Sequence, residues 1–391
     1  MPDSTPRPAG VHDSASFSPE LEALRGWAIG LVFLFHADGV ITGYDRIGTT
    51  VSPVMAFITA GHTGVTLFFV LSAFLLSRPF LEEGRGGPIV GRPNFFRRRI
   101  LRIMPLYSVA VCVAVALAWQ NPTALVDGLG ALFFLNSFTG SVASLIPYSA
   151  VWWSLATEVQ FYLALPLLGL CLRSRTGQWL GLAALLSWAA ASIAVATQPG
   201  MLSNDVHFRL SLSLFGRAPA FLAGIAASWL VVRHGERLRT SAMESRWLRN
   251  GGSDILLLIV LFGLGMILRQ VTYLGFIRTE ISAPLSHLAE SLLWAIVLLI
   301  VLLAPLKIQR LITNRIFTTL GLLSYSLYLI HEPILFFGLS QLVPRGIPVD
   351  IDLGMRAVAF AIAFALCLSL SAITYRVIER PFLVRKASIN R

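Results

Sequence analysis

Long apolar runs alternate along the chain with short polar segments. Each run is about 17–25 residues long, the length that a helix needs to cross the hydrocarbon core of a bilayer. The pattern predicts an all-α polytopic membrane protein with about ten transmembrane helices. The predicted spans are residues 22–42, 60–80, 103–119, 152–172, 179–197, 208–232, 254–270, 287–305, 317–340 and 355–378. The apolar patch "LGALFFLNSF" at 129–138 is too short to span and is predicted to be re-entrant or interfacial.

The composition agrees with a membrane protein. Of the 391 residues, 55% are hydrophobic and 13% are charged, whereas a soluble domain has about 25% charged residues. The first twenty residues are polar and lack an apolar core, so we expect no removable signal peptide. Cys112, Cys171 and Cys367 all lie inside apolar runs, which argues against a disulfide framework and against a zinc knuckle.

Most basic residues fall on one predicted side of the membrane. With the amino terminus inside, 24 of the 31 Lys and Arg residues lie in inner segments, so the positive-inside rule places both termini in the cytoplasm. The predicted organisation is a polar cytoplasmic segment (1–20), a membrane domain (21–383) and a short basic cytoplasmic tail (384–391). The net charge of +11 is then mainly a topology signal, and no nucleic-acid partner is expected. We therefore expect a multi-pass protein of a bacterial inner or plasma membrane, in contact with membrane lipids.

Ionisable residues at membrane depth are rare, because each costs about 2.5–3.5 kcal/mol on insertion scales. Such residues usually face a bundle interior or a wet cavity. Counting from the ends of the spans brings polar side chains of five helices to a layer between the midplane and the outer third. This outer polar layer consists of His36, Ser72, Glu158, Arg217, His331 and Glu332. The layer supplies a candidate base and candidate acids.

A second polar layer lies at the inner ends of the helices. It contains Arg25 and the run "RRRILRIMPLY", with Arg97, Arg98, Arg99, Arg102 and Tyr107. Arg25 and His36 are eleven residues apart, so they lie on one helix face at a separation of about 16 Å along the axis. One helix therefore carries a member of each layer.

This arrangement predicts chemistry between a phosphorylated donor and a hydroxyl acceptor. Inner arginines suit the phosphates of a polyanionic donor, and His36 suits deprotonation of a hydroxyl that attacks a carbonyl. Acyl-coenzyme A has the required phosphates and a long pantetheine arm that ends in a thioester. We expect no metal, because the sequence contains no metal-binding or nucleotide-binding motif of the common types.

Each of these residues also has a simpler explanation. A single intramembrane histidine often makes an interhelical hydrogen bond, Glu158 and Arg217 could neutralise each other, and an arginine run is commonly a stop-transfer signal. The functional interpretation depends on the combination of the two layers. Whether Glu158 or Glu332 orients His36 stays open at this point.

Seven blocks of the sequence, in order, resemble the acyltransferase 3 family of integral membrane O-acyltransferases. They are "LEALRGWAIGLVFLFHADG", "TLFFVLSAFLLS", "FFRRRILRIMPLY", "VWWSLATEVQFYLALPLL", "FGRAPAFLAGIAAS", "LSYSLYLIHEPI" and "VIERPF". The resemblance covers roughly residues 20–383. The sequence departs from the family pattern at two places. It has Ser72-Ala73-Phe74 where the family usually has Ser-Gly-Phe, and it has Val159 where many members have a second acid after the position of Glu158.

The resemblance implies a ten-helix fold, acyl-coenzyme A as the usual donor and His36 as the catalytic base, with Glu158 as a second catalytic candidate. It implies that Arg25 is needed near the site and that the coenzyme contacts the inner arginines. The residues assigned to coenzyme binding are Arg25, Arg98, Arg99, Arg102 and Tyr107. The residues assigned to shaping the site are Ser72, Ser154, Arg217, Tyr325, His331 and Glu332.

The sequence therefore predicts an O-acyltransferase that moves an acetyl or short acyl group from acyl-coenzyme A. The expected acceptor is a hydroxyl of a saccharide, a glycolipid or a macrolide-like metabolite. A transporter or flippase of a lipid-linked substrate would also carry polar residues at midplane, but the chain shows no internal repeat with matching broken helices. A regulatory membrane subunit that binds coenzyme without turnover is the third alternative.

Overall fold

The computed structural model describes residues 18–44, 46–135, 145, 148–198, 202–275, 284–339 and 353–388, and all the regular elements in these ranges are helical. The α-helices are α1 Pro19–Thr42, α2 Ala56–Thr59, α3 Thr63–Gly84, α4 Arg92–Leu117, α5 Ala124–Leu132, α6 Trp153–Leu172, α7 Arg175–Thr197, α8 Asn204–Ser211, α9 Leu214–Glu244, α10 Ser253–Leu274, α11 Pro284–Leu303, α12 Gln309–Ile312, α13 Arg315–Leu322, α14 Ser324–Ile334, α15 Leu353–Thr374 and α16 Arg380–Ser388. Short π-helical turns occur at Leu248–Gly252, Leu335–Leu339 and Tyr375–Glu379.

Every predicted span has a helical counterpart. Among the described residues, eight helices are long and apolar enough to cross a membrane, and α11 is a shorter apolar helix. The predicted ninth span is broken: Gln309–Leu322 and Ser324–Gly338 meet at an angle of 69°. The prediction of an all-α polytopic membrane protein is confirmed.

Three short predicted segments lie partly outside the described structure. The apolar patch at 129–138 ends the nine-residue helix α5, which is too short to span and packs on α4; its residues 136–138 lie outside the described residues. Most of the polar segment 1–20 and residues 389–391 of the basic tail also lie outside them.

Helix α13 begins where a capping side chain meets exposed amides. Asn314 has an extended backbone, and its side-chain oxygen accepts the N–H groups of Ile316 at 3.0 Å and Phe317 at 3.1 Å. These amides belong to the first turn and lack partners within the helix, which is why asparagine is favoured before a helix start. The cap fixes where α13 begins and therefore how it meets α1.

Helices α1 and α13 cross at two glycines. A Cβ atom on Gly26 would lie 2.0 Å from the carbonyl oxygen of Phe317, and one on Gly321 would lie 1.9 Å from the carbonyl oxygen of Glu22. The Trp27 ring stacks on Phe317 at 3.7 Å beside this contact. Small residues allow membrane helices to approach closely and gain packing energy, so this crossing positions the helix that carries His36.

The departure from the family pattern at Ala73 is accommodated by a glycine on the facing helix. Ala73 is fully buried between α3 and α9. A Cβ atom on Gly224 would lie 2.7 Å from the Cβ atom of Ala73 and 2.4 Å from the carbonyl oxygen of Val70. The space that the alanine methyl occupies is therefore provided by α9.

We expect Gly321→Ala to destabilise the protein by about 1–3 kcal/mol, because the added methyl group meets backbone that cannot move independently. Gly30→Ala on α1 is the matched control, since its Cβ atom would have no neighbour within 4 Å. The control should be neutral or slightly stabilising, because alanine favours a helix over glycine. Thermal unfolding of both variants in detergent measures the difference. Equal melting temperatures would contradict the close crossing.

Candidate active site

His36 of α1 faces Glu332 of α14. The His36 Nδ1 atom lies 2.8 Å from a carboxylate oxygen of Glu332, and the two side chains are 16% and 11% exposed. The distance is that of an ion pair when the imidazole is protonated, and no aligned hydrogen bond joins the two atoms. In a neutral imidazole, a carboxylate in this position favours the tautomer that carries its proton on the facing nitrogen.

His331 lies beside this pair and is fully buried. Its Nδ1 atom is 3.0 Å from the carbonyl oxygen of Leu327 and 2.9 Å from that of Tyr328. Both neighbours can only accept, so Nδ1 carries the proton and the Nε2 atom carries a lone pair. Among the described residues, that Nε2 atom has no hydrogen-bond partner. The His331 ring lies 5.1 Å from the His36 ring.

Ser154 supports the position of His331 indirectly. Its hydroxyl lies 2.6 Å from the Tyr328 hydroxyl, which also donates to the carbonyl oxygen of Val151 at 3.0 Å. Because the Tyr328 carbonyl accepts from His331, these contacts hold the turn of α14 that carries the histidine. Ser154 therefore lies behind the site and does not face His36.

The described contacts of Glu158 are with residues other than His36. Its carboxylate accepts a hydrogen bond from Ser72 at 2.6 Å and contacts the Tyr162 hydroxyl. Arg25 is within electrostatic range of the same carboxylate. Of the two carboxylates that the sequence left open as partners of His36, the structure places Glu332 there, because α14 faces the outer half of α1 whereas Glu158 faces the inner half.

Five cationic groups cluster at the inner end of the bundle. The Lys386 ammonium lies within electrostatic range of Arg25, Arg98, Arg99 and Arg102. The Arg99 guanidinium lies 5.8 Å from the centre of the Tyr162 ring, and its Nε atom has no hydrogen-bond partner within the described ranges. Glu22 pairs with Arg25 and Glu379 with Arg102, so basic side chains outnumber their carboxylate partners here. An excess of basic groups is the electrostatic requirement for a phosphate site.

Arg102 is anchored within this cationic cluster. It lies 3.3 Å from the carboxylate of Glu379, which is 2% exposed and also accepts from Ser326. Its guanidinium lies 5.5 Å from the centre of the Tyr325 ring, and the Tyr325 hydroxyl donates to the carbonyl oxygen of Ile103 at 2.7 Å. One face of Arg102 is thereby fixed by α14 and by the π-helical turn that follows α15.

The structure does not bring Tyr107 into this cluster. Its hydroxyl donates to the carbonyl oxygen of Ala131 at 3.0 Å, and its ring stacks on Phe134 at 5.1 Å. The side chain is fully buried and joins α4 to α5. The side chain lies more than a helical turn past Arg102, and its hydroxyl proton is already bonded. The assignment of Tyr107 to coenzyme binding stays a prediction.

Arg217 belongs to a third polar group, between α3, α9 and α11. Its guanidinium lies 3.3 Å from His287 Nδ1, which is 3.6 Å from the Glu290 carboxylate. Thr63 donates to the other oxygen of that carboxylate at 2.5 Å. The Arg217 guanidinium also lies 5.1 Å from the centre of the Trp153 ring. These contacts compensate the buried charges and tie three helices together.

Comparison with known proteins identifies the family. The model of the acyltransferase domain known as Acyl_transf_3 matches residues 18–376. The chain belongs to the acyltransferase 3 family.

Relatives within this family are named as acyltransferases. Acyltransferase MdmB of Streptomyces mycarofaciens is 26% identical over 348 residues, covering 82% of this chain and 79% of the relative. O-acetyltransferase OatA of Staphylococcus aureus is 23% identical over 405 residues, covering 94% of this chain and 57% of the relative. The chain thus spans little more than half the length of the staphylococcal relatives. No solved structure matches it. Family membership makes this chain an acyltransferase enzyme and a multi-pass membrane protein.

Several polar residues of this acyltransferase were not singled out from the sequence. Glu379 lies in the "VIERPF" block, and Lys386 lies in the tail that was interpreted as a topology signal. His287 and Glu290 stand three residues apart in an apolar span, which is a signal of paired ionisable groups at membrane depth and could have identified that network. Nothing in the local pattern indicated that Lys386 turns towards the inner arginines.

Proposed function

We propose that the enzyme transfers an acetyl or short acyl group from acyl-coenzyme A to a hydroxyl group of a saccharide, a glycolipid or a macrolide-like metabolite. The observation that carries this proposal is the close contact between His36 of α1 and Glu332 of α14. His36 lies on the same helix as Arg25. Along that helix the histidine and the arginine are about 16 Å apart, a distance suited to an extended pantetheine arm.

The donor binds at the inner cationic cluster. Coenzyme A carries a 3′-phosphate and a diphosphate, and Arg98, Arg99 and Lys386 offer donors beside Arg25. Guanidinium groups bind phosphate oxygens with two parallel hydrogen bonds, and such charge-assisted bonds are about twice as strong as neutral ones. Arg102, fixed by Glu379, supplies one oriented side chain of this site.

His36 acts as the general base. The Glu332 carboxylate, 2.8 Å from Nδ1, favours the proton on that nitrogen, so the lone pair on Nε2 accepts the proton of the acceptor hydroxyl. The hydroxyl oxygen then bonds to the thioester carbonyl carbon. The resulting tetrahedral intermediate collapses with cleavage of the carbon–sulfur bond, and the imidazolium returns its proton to the leaving thiolate. The products are an ester and free coenzyme A.

The acceptor is a hydroxyl-bearing molecule. The proposal of an oxygen ester is supported by the name of the staphylococcal relative, an O-acetyltransferase. A hydroxyl group is a weak acid, and it needs a positioned base to attack a thioester at neutral pH. The site of His36 and Glu332 provides that base at membrane depth, where a lipid-linked or amphipathic acceptor has access.

A direct test uses purified protein, radiolabelled acetyl-coenzyme A and a membrane extract that contains lipids and glycans. We expect label to move into a non-protein fraction in an ester that alkali releases. The His36→Asn variant is the control, because it keeps the size of the side chain and removes the base. Equal labelling by both proteins, or absence of labelling across extracts, would contradict the proposed activity.

We also propose that the inner cationic cluster faces the cytoplasm, where acyl-coenzyme A is made. Cysteine replacing Arg239, on the polar end of α9, should then resist an impermeant thiol reagent in intact cells. Cysteine replacing Val54, which is 80% exposed in the connection between α1 and α2, should react. Asp127 is a poor reporter because it is buried. Labelling of the cysteine at position 239 from outside the cell would contradict the proposed orientation.

A further inference from the structure

Three potential metal ligands meet between α1 and α14. One donor atom each from His36, His331 and Glu332 lies within 4.8 Å of the other two, and His331 and Glu332 are buried. The His36 and Glu332 atoms are already 2.8 Å apart. For metal–ligand bonds of about 2.05 Å, tetrahedral coordination places donor atoms about 3.3 Å apart. Small side-chain rotations are therefore enough to close the set around one ion.

His331 is oriented in the manner of a metal ligand. Its Nδ1–H group points at the carbonyl oxygens of Leu327 and Tyr328, which fixes the tautomer and leaves the lone pair on Nε2. Histidines that bind metal almost always donate their other N–H to a carbonyl or a carboxylate in this way. In the part of the chain that the structure describes, the buried Nε2 atom has no hydrogen-bond partner, a costly arrangement that a bound cation would relieve.

The chemistry of the donors selects the type of ion. Two imidazole nitrogens and one carboxylate form a common three-ligand set for Zn²⁺, with a fourth position left for water. Mg²⁺ and Ca²⁺ prefer shells made of oxygen and would not use two imidazoles. The negative charge of the Glu332 carboxylate favours a cation over an anion at this place.

We propose that His36, His331 and Glu332 form a Zn²⁺-binding site whose occupation blocks acyl transfer. The metal takes one imidazole nitrogen of His36, and the proton then remains on the other nitrogen. No lone pair is left to accept the hydroxyl proton of the acceptor. The inhibitory part of this proposal rests on the proposed role of His36 as the base, whereas the metal site itself rests on the geometry alone.

Metal binding can be measured without turnover. Tag-free protein treated with chelator is titrated with Zn²⁺ by calorimetry, and Co²⁺ is used as a substitute with visible absorption. We expect one ion per chain, with the absorption of tetrahedral Co²⁺. His331→Ala and Glu332→Gln should each weaken binding by more than about 100-fold, since even partners outside the coordination shell cost about 10- to 100-fold when removed.

The controls separate specific binding from unspecific binding. His234→Ala removes a histidine on the polar end of α9 and should leave the stoichiometry and affinity unchanged. Melting temperatures test whether each variant is folded. The Co²⁺ spectrum is measured on the unmodified chain, so it tests the site even if a variant fails to fold. An octahedral spectrum, or Zn²⁺ affinity unchanged in both His331→Ala and Glu332→Gln, would overturn the site.

The activity measurement has a separate outcome. Acyl transfer should fall as Zn²⁺ saturates the site and return after addition of chelator. If Zn²⁺ bound with the expected dependence on His331 but transfer continued, the metal site would stand and both the inhibition and the role of His36 as base would be wrong. Absence of saturable binding in an active enzyme would reject the site and leave the proposed function intact.

Discussion

Replacing His36 with asparagine is expected to lower the rate of acyl transfer by about 100- to 10,000-fold, the usual contribution of a positioned general base. Asparagine fills a similar volume and can still donate to Glu332, which lies 2.8 Å from the His36 ring. The fold should therefore survive while proton transfer is lost. The measurement is initial rate at several pH values, on protein whose melting temperature matches that of the parent chain.

The same variant distinguishes a base from a structural histidine. A histidine that only bonds its neighbours would be replaced by asparagine with little loss of rate. Binding of a non-hydrolysable acyl-coenzyme A analogue should be unchanged in His36→Asn, because the cationic cluster lies about 16 Å away along α1. Near-normal turnover would end the assignment of His36 as the base. His331, with its free lone pair, would then be the next candidate.

Replacing both Arg99 and Arg102 with alanine is expected to weaken coenzyme binding by about 100- to 10,000-fold. Each removed charge-assisted contact with phosphate is worth about 1.5–3 kcal/mol, and about 1.4 kcal/mol corresponds to a factor of ten. The structure supports the choice of residues, because both guanidinium groups lie within electrostatic range of the Lys386 ammonium in the cationic cluster. Calorimetry with the same analogue measures the loss.

Arg97→Ala is the matched control for the arginine pair. Arg97 belongs to the same basic run but is exposed, and it is not among the charges that act on Lys386. Its removal should leave coenzyme affinity within a few-fold of the parent. Arg99→Ala alone is also informative, because removal of Arg102 leaves the buried carboxylate of Glu379 without its ion pair. Unchanged coenzyme affinity in the Arg99→Ala/Arg102→Ala variant would mean that the arginine run serves only as a topology signal.

The number and order of the helices could be predicted from the sequence. Apolar runs report helix length directly, because a bilayer has a fixed thickness and every backbone polar group must be satisfied inside it. The prediction was less accurate for the ninth span, which bends by 69° at Leu323. Neither proline nor glycine stands at that residue, so the local sequence carries no clear signal for the break.

The face shared by Arg25 and His36 is another local property that the sequence determined. Residues eleven positions apart in a continuous helix must lie in line, whatever surrounds the helix. The depth of the polar residues was also available by counting along each span. Two polar layers, one with candidate bases and one with arginines, were therefore visible before any tertiary contact was known.

Only the tertiary structure decided which carboxylate meets His36. Glu158 and Glu332 were equivalent by depth, but α6 turns Glu158 towards Ser72 while α14 turns Glu332 towards His36. The placement of Lys386 beside the arginines and of Tyr107 against α5 was decided in the same way. Helical periodicity fixes the direction of a side chain relative to its own axis. The partner it meets depends on how helices rotate and cross, which here is set by close contacts such as Gly26 on Phe317.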